Sequence, residues 1–507
     1  MDAEKYDVII IGAGLAGLIA GAKLSKEGKN VLMIEQHNIP GGCATTFKRG
    51  DWTIEAGLHE MDGWDEFDPK KEIFEDLGIF GGVEFIKLPE FYRFMSRKID
   101  IVIPLDHKQA AAVLIRQFPQ EEKGINKFFK VILGLRKEII RLPLDGWKCF
   151  LMIGICPFLY PNLIRYNNAD LGGFLDSIIK DEELKFILLA NLGYYHDNPY
   201  TMSLEYYSGA QGSYFSGGAY YIRGGSQKLS DYLARVIEKN RGLIILGHLV
   251  TKIITKDNKA AAVEYRETFK QDAELKQAGA DIIIANAAIP NVVNQLLTGS
   301  KKTAVLEQKV KNLEIACSIT TLYLGFKRPV KELGNKYFST FVQDESLSRI
   351  SDLGRDKTKD YANTGFVFVD YSQIDSRLAP RDKSVGVICV SDYLQNWESL
   401  SQRDYRRKKE EVAKILIERL EKTIPGIKNA VEYYELATPL TIKRWTLNPE
   451  GTAYGFAQIP SQAGLNRIAI KSPVKQLYFS SAWTRPGGGF SGAILSGYWC
   501  AKKILGK

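Results

Sequence analysis

Cysteine is scarce in this chain: six in 507 residues, at positions 43, 149, 156, 317, 389 and 500, with no close CxxC pair. That spacing excludes a disulfide-stapled scaffold and a knuckle-type zinc site, and it favours a reducing compartment or isolated apolar thiols. Histidine is scarcer still, with five residues, and His37, His107, His196 and His248 show no ligand spacing, so no metal is expected. No apolar run reaches the ~18 residues of a membrane-spanning helix, and the start MDAEKYDVIIIGAG lacks a basic stretch and a processing site. Cytoplasmic residence is the expectation. Only 18 prolines accompany 45 glycines, and with a mean hydropathy of -0.16 this excludes broad disorder as well as a many-span membrane protein. The charge excess is small, 68 basic against 59 acidic residues for a net +9. No nucleic-acid reader motif accompanies it, so no nucleic-acid partner is expected, while contact with an acidic lipid surface stays open.

The composition is otherwise that of a folded protein, 45% hydrophobic and 25% charged, and at ~150 residues per domain the length suggests about three domain-sized units. Tyr6 to Ile11 reads as a buried strand, followed by Gly12-Ala13-Gly14-Leu15-Ala16-Gly17, a helix to about Glu27, and a second strand from Val31 to Ile34. This order gives GxGxxG the strand-turn-helix setting it needs. Gly12 permits the tight turn, Gly14 admits a pyrophosphate to backbone N–H groups, and Gly17 allows close helix packing. Glu35 ends the second strand, 21 positions after Gly14, where a ribose hydroxyl acceptor is expected. Gly41 and Gly42 offer close backbone approach and Ala44 to Thr46 a lining for the same cleft, or else a flexible connection of small residues.

The run DVIIIGAGLAGLIAGAKLSKEGKNVLMIEQHNIPGG resembles the FAD-dependent amine-oxidase-like oxidoreductases, especially the phytoene desaturase, carotenoid isomerase and retinol saturase group. The resemblance implies FAD rather than nicotinamide. It places Glu35 at the adenosine ribose, Gly41 and Gly42 near the pyrophosphate or the flavin, and Val250, within LIILGHLVTKI, at the adenine. It implies that AYYIRGGS at 219–226 introduces a further part of the FAD domain and that DIIIANA at 281–287 returns beneath the cofactor, with Asn286 a turn former. The segment LYFSSAWTRPGGGFSGAILSGYWCAKKIL resembles the group's C-terminal flavin motif, with Gly487, Gly488 and Gly489 turned to the cofactor ahead of a helix. Where that group commonly has Gly-Asp, this chain has Ser481-Ala482, so an acidic acceptor is missing and another group must serve.

The fold class that follows is α/β: a discontinuous Rossmann-like FAD-binding domain built from 1–57, 219–299 and 436–507, with an α+β substrate domain from 58–218 and 300–435. A candidate membrane-contact insertion spans 137–166, where Trp147 to Tyr160 is apolar and Lys137, Arg141, Lys148 and Arg165 flank it; a buried part of the substrate domain is the alternative. Tyrosines at 194–195, 206–214 and 220–221 suit a long apolar tunnel with occasional hydrogen-bond handles, or the bracing of an internal sheet. The charged run from Ser401 reads as an amphipathic helix ending near Pro425-Gly426.

By the same resemblance, residues 438–455 form a strand and turn leading to the substrate side of the flavin, with Tyr454 and Phe456 shaping the pocket and Arg444 holding a loop or a cofactor edge. His59 and Arg485 stand beside predicted cofactor segments, although each is equally at home in packing. The expected partner is a hydrophobic polyene or isoprenoid such as a carotenoid or retinoid, with membrane lipids as a second partner. The expected activity is FAD-dependent oxidoreduction or redox-assisted isomerisation. Desaturation, saturation and isomerisation are not distinguished, nor is the oligomeric state. The alternatives are an FAD-dependent amine or small-molecule oxidase and a noncatalytic FAD-binding membrane-interaction protein.

Overall fold

A computed structural model of the chain describes residues 5–143, 158–270, 272–297, 301–374 and 377–506. Its first sheet forms around the opening strand Lys5–Ile11, whose run of isoleucines is covered on both faces, the pattern of a central parallel strand. Val31–Ile34 pairs parallel on one side, with Val8 opposite Val31, and Lys276–Ala285 pairs parallel on the other, with Val8 opposite Ile282. Leu243–Ile245 extends the first edge, while Lys259–Glu267 and His248–Lys256 fold back antiparallel beyond the second. The short strand Leu477–Phe479 also adds to Lys276–Ala285. One sheet therefore gathers strands from three distant parts of the sequence.

The helix Leu15–Lys26 is buried from Leu15 through Ser25, because it lies among the sheet, the helix Gln227–Lys239 and the C-terminal helix Gly489–Ile504. A helix enclosed on all sides has no need of a polar face, which accounts for its near-continuous Leu, Ile, Ala and Gly. Gly497 makes the crossing of the first and last helices possible: a Cβ there would collide with the Ala16 carbonyl oxygen.

The second large sheet is mixed and runs in the order Val431–Ala437, Ser318–Phe326, Ser384–Asp392, Phe366–Asp370, Ser339–Val342, Tyr92–Met95 and Asp100–Ile103. Only the contact between Ser339–Val342 and Tyr92–Met95 is parallel. Helix Gln402–Thr423 buries Val412, Leu416 and Leu420 against it. The helices Glu122–Ile140 and Leu204–Gly217 pack against each other, the latter carrying Tyr206, Tyr207 and Tyr214. The protein is thus α/β with mixed sheets and a discontinuous nucleotide-binding-type unit.

One local expectation is corrected. Residues 439–446 form a helix, Pro439–Thr446, rather than a strand, because Pro439 occupies its first turn and Thr438 and Thr441 make a reciprocal capping box. Most of the expected membrane-contact stretch, 144–157, lies outside the described residues.

Gly497→Ala is expected to destabilise the fold by about 1–3 kcal/mol through overpacking. Urea unfolding checks this, with an unchanged slope and a lowered midpoint as the expected outcome.

Candidate functional site

The glycine turn is held from behind by a residue distant in sequence. Asn286, just beyond Lys276–Ala285, donates from Nδ2 to the Gly12 carbonyl at 2.9 Å and the Gly14 carbonyl at 3.2 Å. A Cβ at Gly12 would sit 2.5 Å from the Asn286 carbonyl oxygen, and one at Gly17 would sit 2.6 Å from Nδ2. Gly12 also has a φ of +93°, which a side chain would strain. Asn286 is therefore a clamp rather than the simple turn former expected from sequence. Glu35 buttresses the turn from the other side: Oε2 accepts from Ala13 N at 2.6 Å and Oε1 from His37 N at 2.8 Å. Burial pushes its carboxyl up, and these two amides oppose the rise.

Two helix N-termini open into one cleft of about 1890 Å³, which Gly14, Leu15 and Ala16 line from one and Gly488, Gly489 and Phe490 from the other. Neither helix has a side-chain cap hydrogen bond, so free N–H groups and the positive ends of both helix dipoles face the cavity. The volume exceeds the ~300–1,000 Å³ of a single small-molecule pocket, leaving space for a dinucleotide and a second molecule. Gly41, Gly42 and Val250 line the same cleft. This fits FAD: helix N-termini for its phosphates, Glu35 as an acceptor at the end of its strand, and glycines where a side chain would block approach. At the departure from the family pattern, Ser481 and Ala482 both line the cleft. Ala482 presents backbone there and is anchored by the buried Arg467, which donates to its carbonyl at 2.8 Å, to Phe456 O at 3.0 Å and to Gln458 Oε1 at 2.9 Å. Burial without a bonded carboxylate pulls that guanidinium down to about 10.

His59, Tyr454 and Arg485 also line the cleft. Arg444, Phe456, Gly17 and Gly487 do not. Arg444 is in the last turn of its helix, stacked over the Trp445 ring at 5.4 Å. Phe456 is 1% exposed and packs edge-on against Trp483. Gly487 lies against Gln458 and Tyr206, either of which a Cβ would strike at 2.6 Å. Phe456 is thus absorbed by core packing rather than shaping the pocket, while Arg444, expected to hold a loop or a cofactor edge, stands in its helix over Trp445.

Beyond the glycines the cleft is walled by Tyr194, Tyr195, Tyr206, Tyr214, Phe341 and Tyr371. A buried ion network borders it. Lys70 Nζ meets Asp62 at 2.5 Å and Asp68 at 2.9 Å, Arg136 meets Asp65 at 2.7 Å and Asp68 at 2.9 Å, and Ser491 of the C-terminal helix donates to Asp62. Burial pulls the Lys70 ammonium down, but the two carboxylates outweigh it and hold it above its ordinary value. Glu55 is a second internal anchor, accepting from Ser226 N at 2.8 Å, Ser226 Oγ at 2.6 Å and Tyr221 Oη at 3.0 Å. Sequence reasoning overlooked the ion network and Glu60; the visible signal for Glu60 was an acid wedged between His59 and Met61 in a segment otherwise bound for the interior.

A glycine turn clamped between parallel strands, a strand-end glutamate and a second uncapped helix at the same cavity define a dinucleotide-binding protein. The model of the flavin containing amine oxidoreductase family matches residues 15–505, and the chain belongs to that family. An all-trans-retinol 13,14-reductase of Danio rerio is 25% identical across 99% of this chain and 86% of its own length. Prolycopene isomerase 1 of an Oncidium hybrid cultivar is 26% identical across 99% and 84%. Among solved structures, an oxidoreductase from Methanosarcina mazei superposes with a TM-score of 0.67 at 18% identity, over 99% of this chain and 100% of its own. Family and fold together imply FAD binding.

Glu35→Ala strips two buried amides of their acceptor, an expected loss of ~1–3 kcal/mol in stability. FAD affinity, titrated by quenching of flavin fluorescence, is expected to fall about tenfold or more, as for one lost hydrogen bond to a charged group.

Proposed function

We propose that this protein is an FAD-dependent oxidoreductase or redox-assisted isomerase acting on a hydrophobic isoprenoid polyene of carotenoid or retinoid type. The observation that carries the reading is one cleft lined both by the glycine turns that suit a dinucleotide and by tyrosine and phenylalanine rings. The retinol reductase and prolycopene isomerase likenesses over nearly the whole chain support it. Bound FAD would supply two-electron redox chemistry. The chain's contribution is placement: Gly14 and Gly488 end the two helices that receive the cofactor, and the aromatic walls hold a long apolar chain away from water.

We assign residues 58–218 and 300–435 to the substrate side. The second sheet, drawn from Tyr92–Ile103 and Ser318–Ala437, supports this by contributing Thr321, Tyr323 and Phe341 to the aromatic part of the cleft. We also propose peripheral membrane contact around 137–166. Phe158 and Leu159 are 94% and 55% exposed, and Ile164 is 44% exposed, close to Arg141 and Arg165. Among the described residues no helix is long and apolar enough to cross a membrane.

Anaerobic incubation of the FAD-loaded protein with long polyenes and, in parallel, with amines tests the activity. A flavin spectral change or product conversion with a polyene is expected; turnover confined to amines overturns the reading. Flotation with acidic-lipid vesicles tests the surface contact. Binding should weaken as salt screens the basic residues, and charge reversal at Arg141 and Arg165 should lower it further.

A further inference from the structure

The segment from Ala56 to Glu60 enters the cleft without belonging to a sheet, and three phenols hold it. Tyr323 Oη donates to Ala56 O at 3.1 Å, Tyr371 Oη to Leu58 O at 2.9 Å and Tyr214 Oη to Glu60 O at 3.3 Å. Glu60 lines the cavity and is 6% exposed. Its carboxyl faces the Tyr194 hydroxyl, yet Oε2 has no hydrogen-bond partner among the described residues. A buried carboxyl oxygen left unpaired beside a cavity is costly unless it is protonated or meets a ligand. Among the other acids around this cleft, Glu35 is engaged by amides, Glu55 by Ser226 and Tyr221, Asp62 and Asp68 by Lys70, while Glu205, also pushed up by burial, faces the charge of Arg485.

We propose that Glu60 is the proton donor of the site and that the protein therefore works in the direction of double-bond reduction. The inference rests on the polyene reading above. In the step, the O–H bond of the Glu60 carboxyl breaks and the proton joins one carbon of the double bond, using the π electron pair. Bound reduced flavin would supply the hydride equivalent that the neighbouring carbon needs, and would be oxidised in doing so. The carboxylate left on Glu60 regains its proton from solvent.

The groups facing Glu60 leave it as the only suitable acid among them. Tyr194, from the turn Leu192–Tyr194, Tyr214, from Leu204–Gly217, and Tyr371, after Phe366–Asp370, are all pushed well above the ordinary phenol value by burial. His59, on Glu60's own segment and 3.3 Å from Tyr194 Oη through Nδ1, is pulled down to about 4 by burial and is neutral at pH 7. Burial pushes Glu60 up to about 8, with the Tyr194 hydroxyl opposing, so it holds its proton at that pH.

Infrared difference spectra of the FAD-loaded protein against Glu60→Gln give the first test, independent of turnover. A protonated-carboxyl band is expected at pH 7 that shifts in D2O and disappears as pH rises through about 8; its absence at pH 7 overturns the proposal. Thermal unfolding gives a second. The unfolded chain releases this proton near 4.5 and the folded chain near 8, so wild-type stability should fall as pH rises across that window. Glu60→Gln should flatten the fall, and an unchanged slope counts against the assignment. With reduced flavin and a polyene in D2O, wild type should yield a product reduced by two added hydrogens, with deuterium at both new C–H positions, because the N5–H of reduced flavin exchanges with solvent as the carboxyl does. Glu60→Gln should keep the flavin spectrum and slow that step roughly 10²–10⁴-fold, the usual range for a lost general acid, with Glu60→Asp recovering part of it. A Gln variant at wild-type rate, or a product two hydrogens lighter, overturns the proposal. A wild type that turns over no polyene, with the carboxyl band present, overturns the substrate reading instead and leaves Glu60 as a protonated acid.

Discussion

Much of the molecule depends on how closely the backbone at Gly12 approaches Asn286. The contact joins the first turn of the chain to a strand end some 270 positions away, and it works only because glycines stand at 12, 14 and 17. With the turn held, the N-terminus of Leu15–Lys26 points at the cavity. The last helix crosses the first at Gly497, which aims its own N-terminus into the same space. The glycine-lined part of the cleft thus emerges from backbone packing, with the positive ends of two helix dipoles turned to it.

The aromatic end is built differently. Its charges are either paired, as in the Lys70, Asp62, Asp68 and Arg136 network, or absent because burial keeps the group neutral, as with His59. A wall of neutral phenols and apolar rings suits a molecule that brings few hydrogen bonds of its own. Arg467 shows the opposite solution at the junction between the two ends. It remains buried by donating to the Thr484 and Ala482 carbonyls, and so it holds the Ser481-Ala482 turn in place.

The nucleotide-binding half was legible because its signals are local and periodic: an apolar strand, a glycine turn, a helix and a strand-end acid within about one βαβ unit. Asp281 to Ala285 and the C-terminal glycines could be read for the same reason. The substrate side was not, since its polar groups work through contacts between residues far apart in sequence, such as Tyr214 with Glu60 or Tyr371 with Leu58. Residues 438–446 misled in another way. The resemblance implied a strand there, but Pro439 and the Thr438–Thr441 capping box decide for a helix.

The three phenols that seize Ala56, Leu58 and Glu60 do more than support a loop. They grip every second carbonyl, so they act as a register lock on an otherwise irregular stretch of chain. Sliding that stretch by a single residue would break all three bonds together and exchange the places of two adjacent side chains, a neutral imidazole and a protonated carboxyl. The acid–base character of the chamber is therefore encoded in tyrosines whose rings belong to three other elements. A change of Tyr323, distant from Glu60 in sequence, can recast the chemistry by releasing the Ala56 carbonyl.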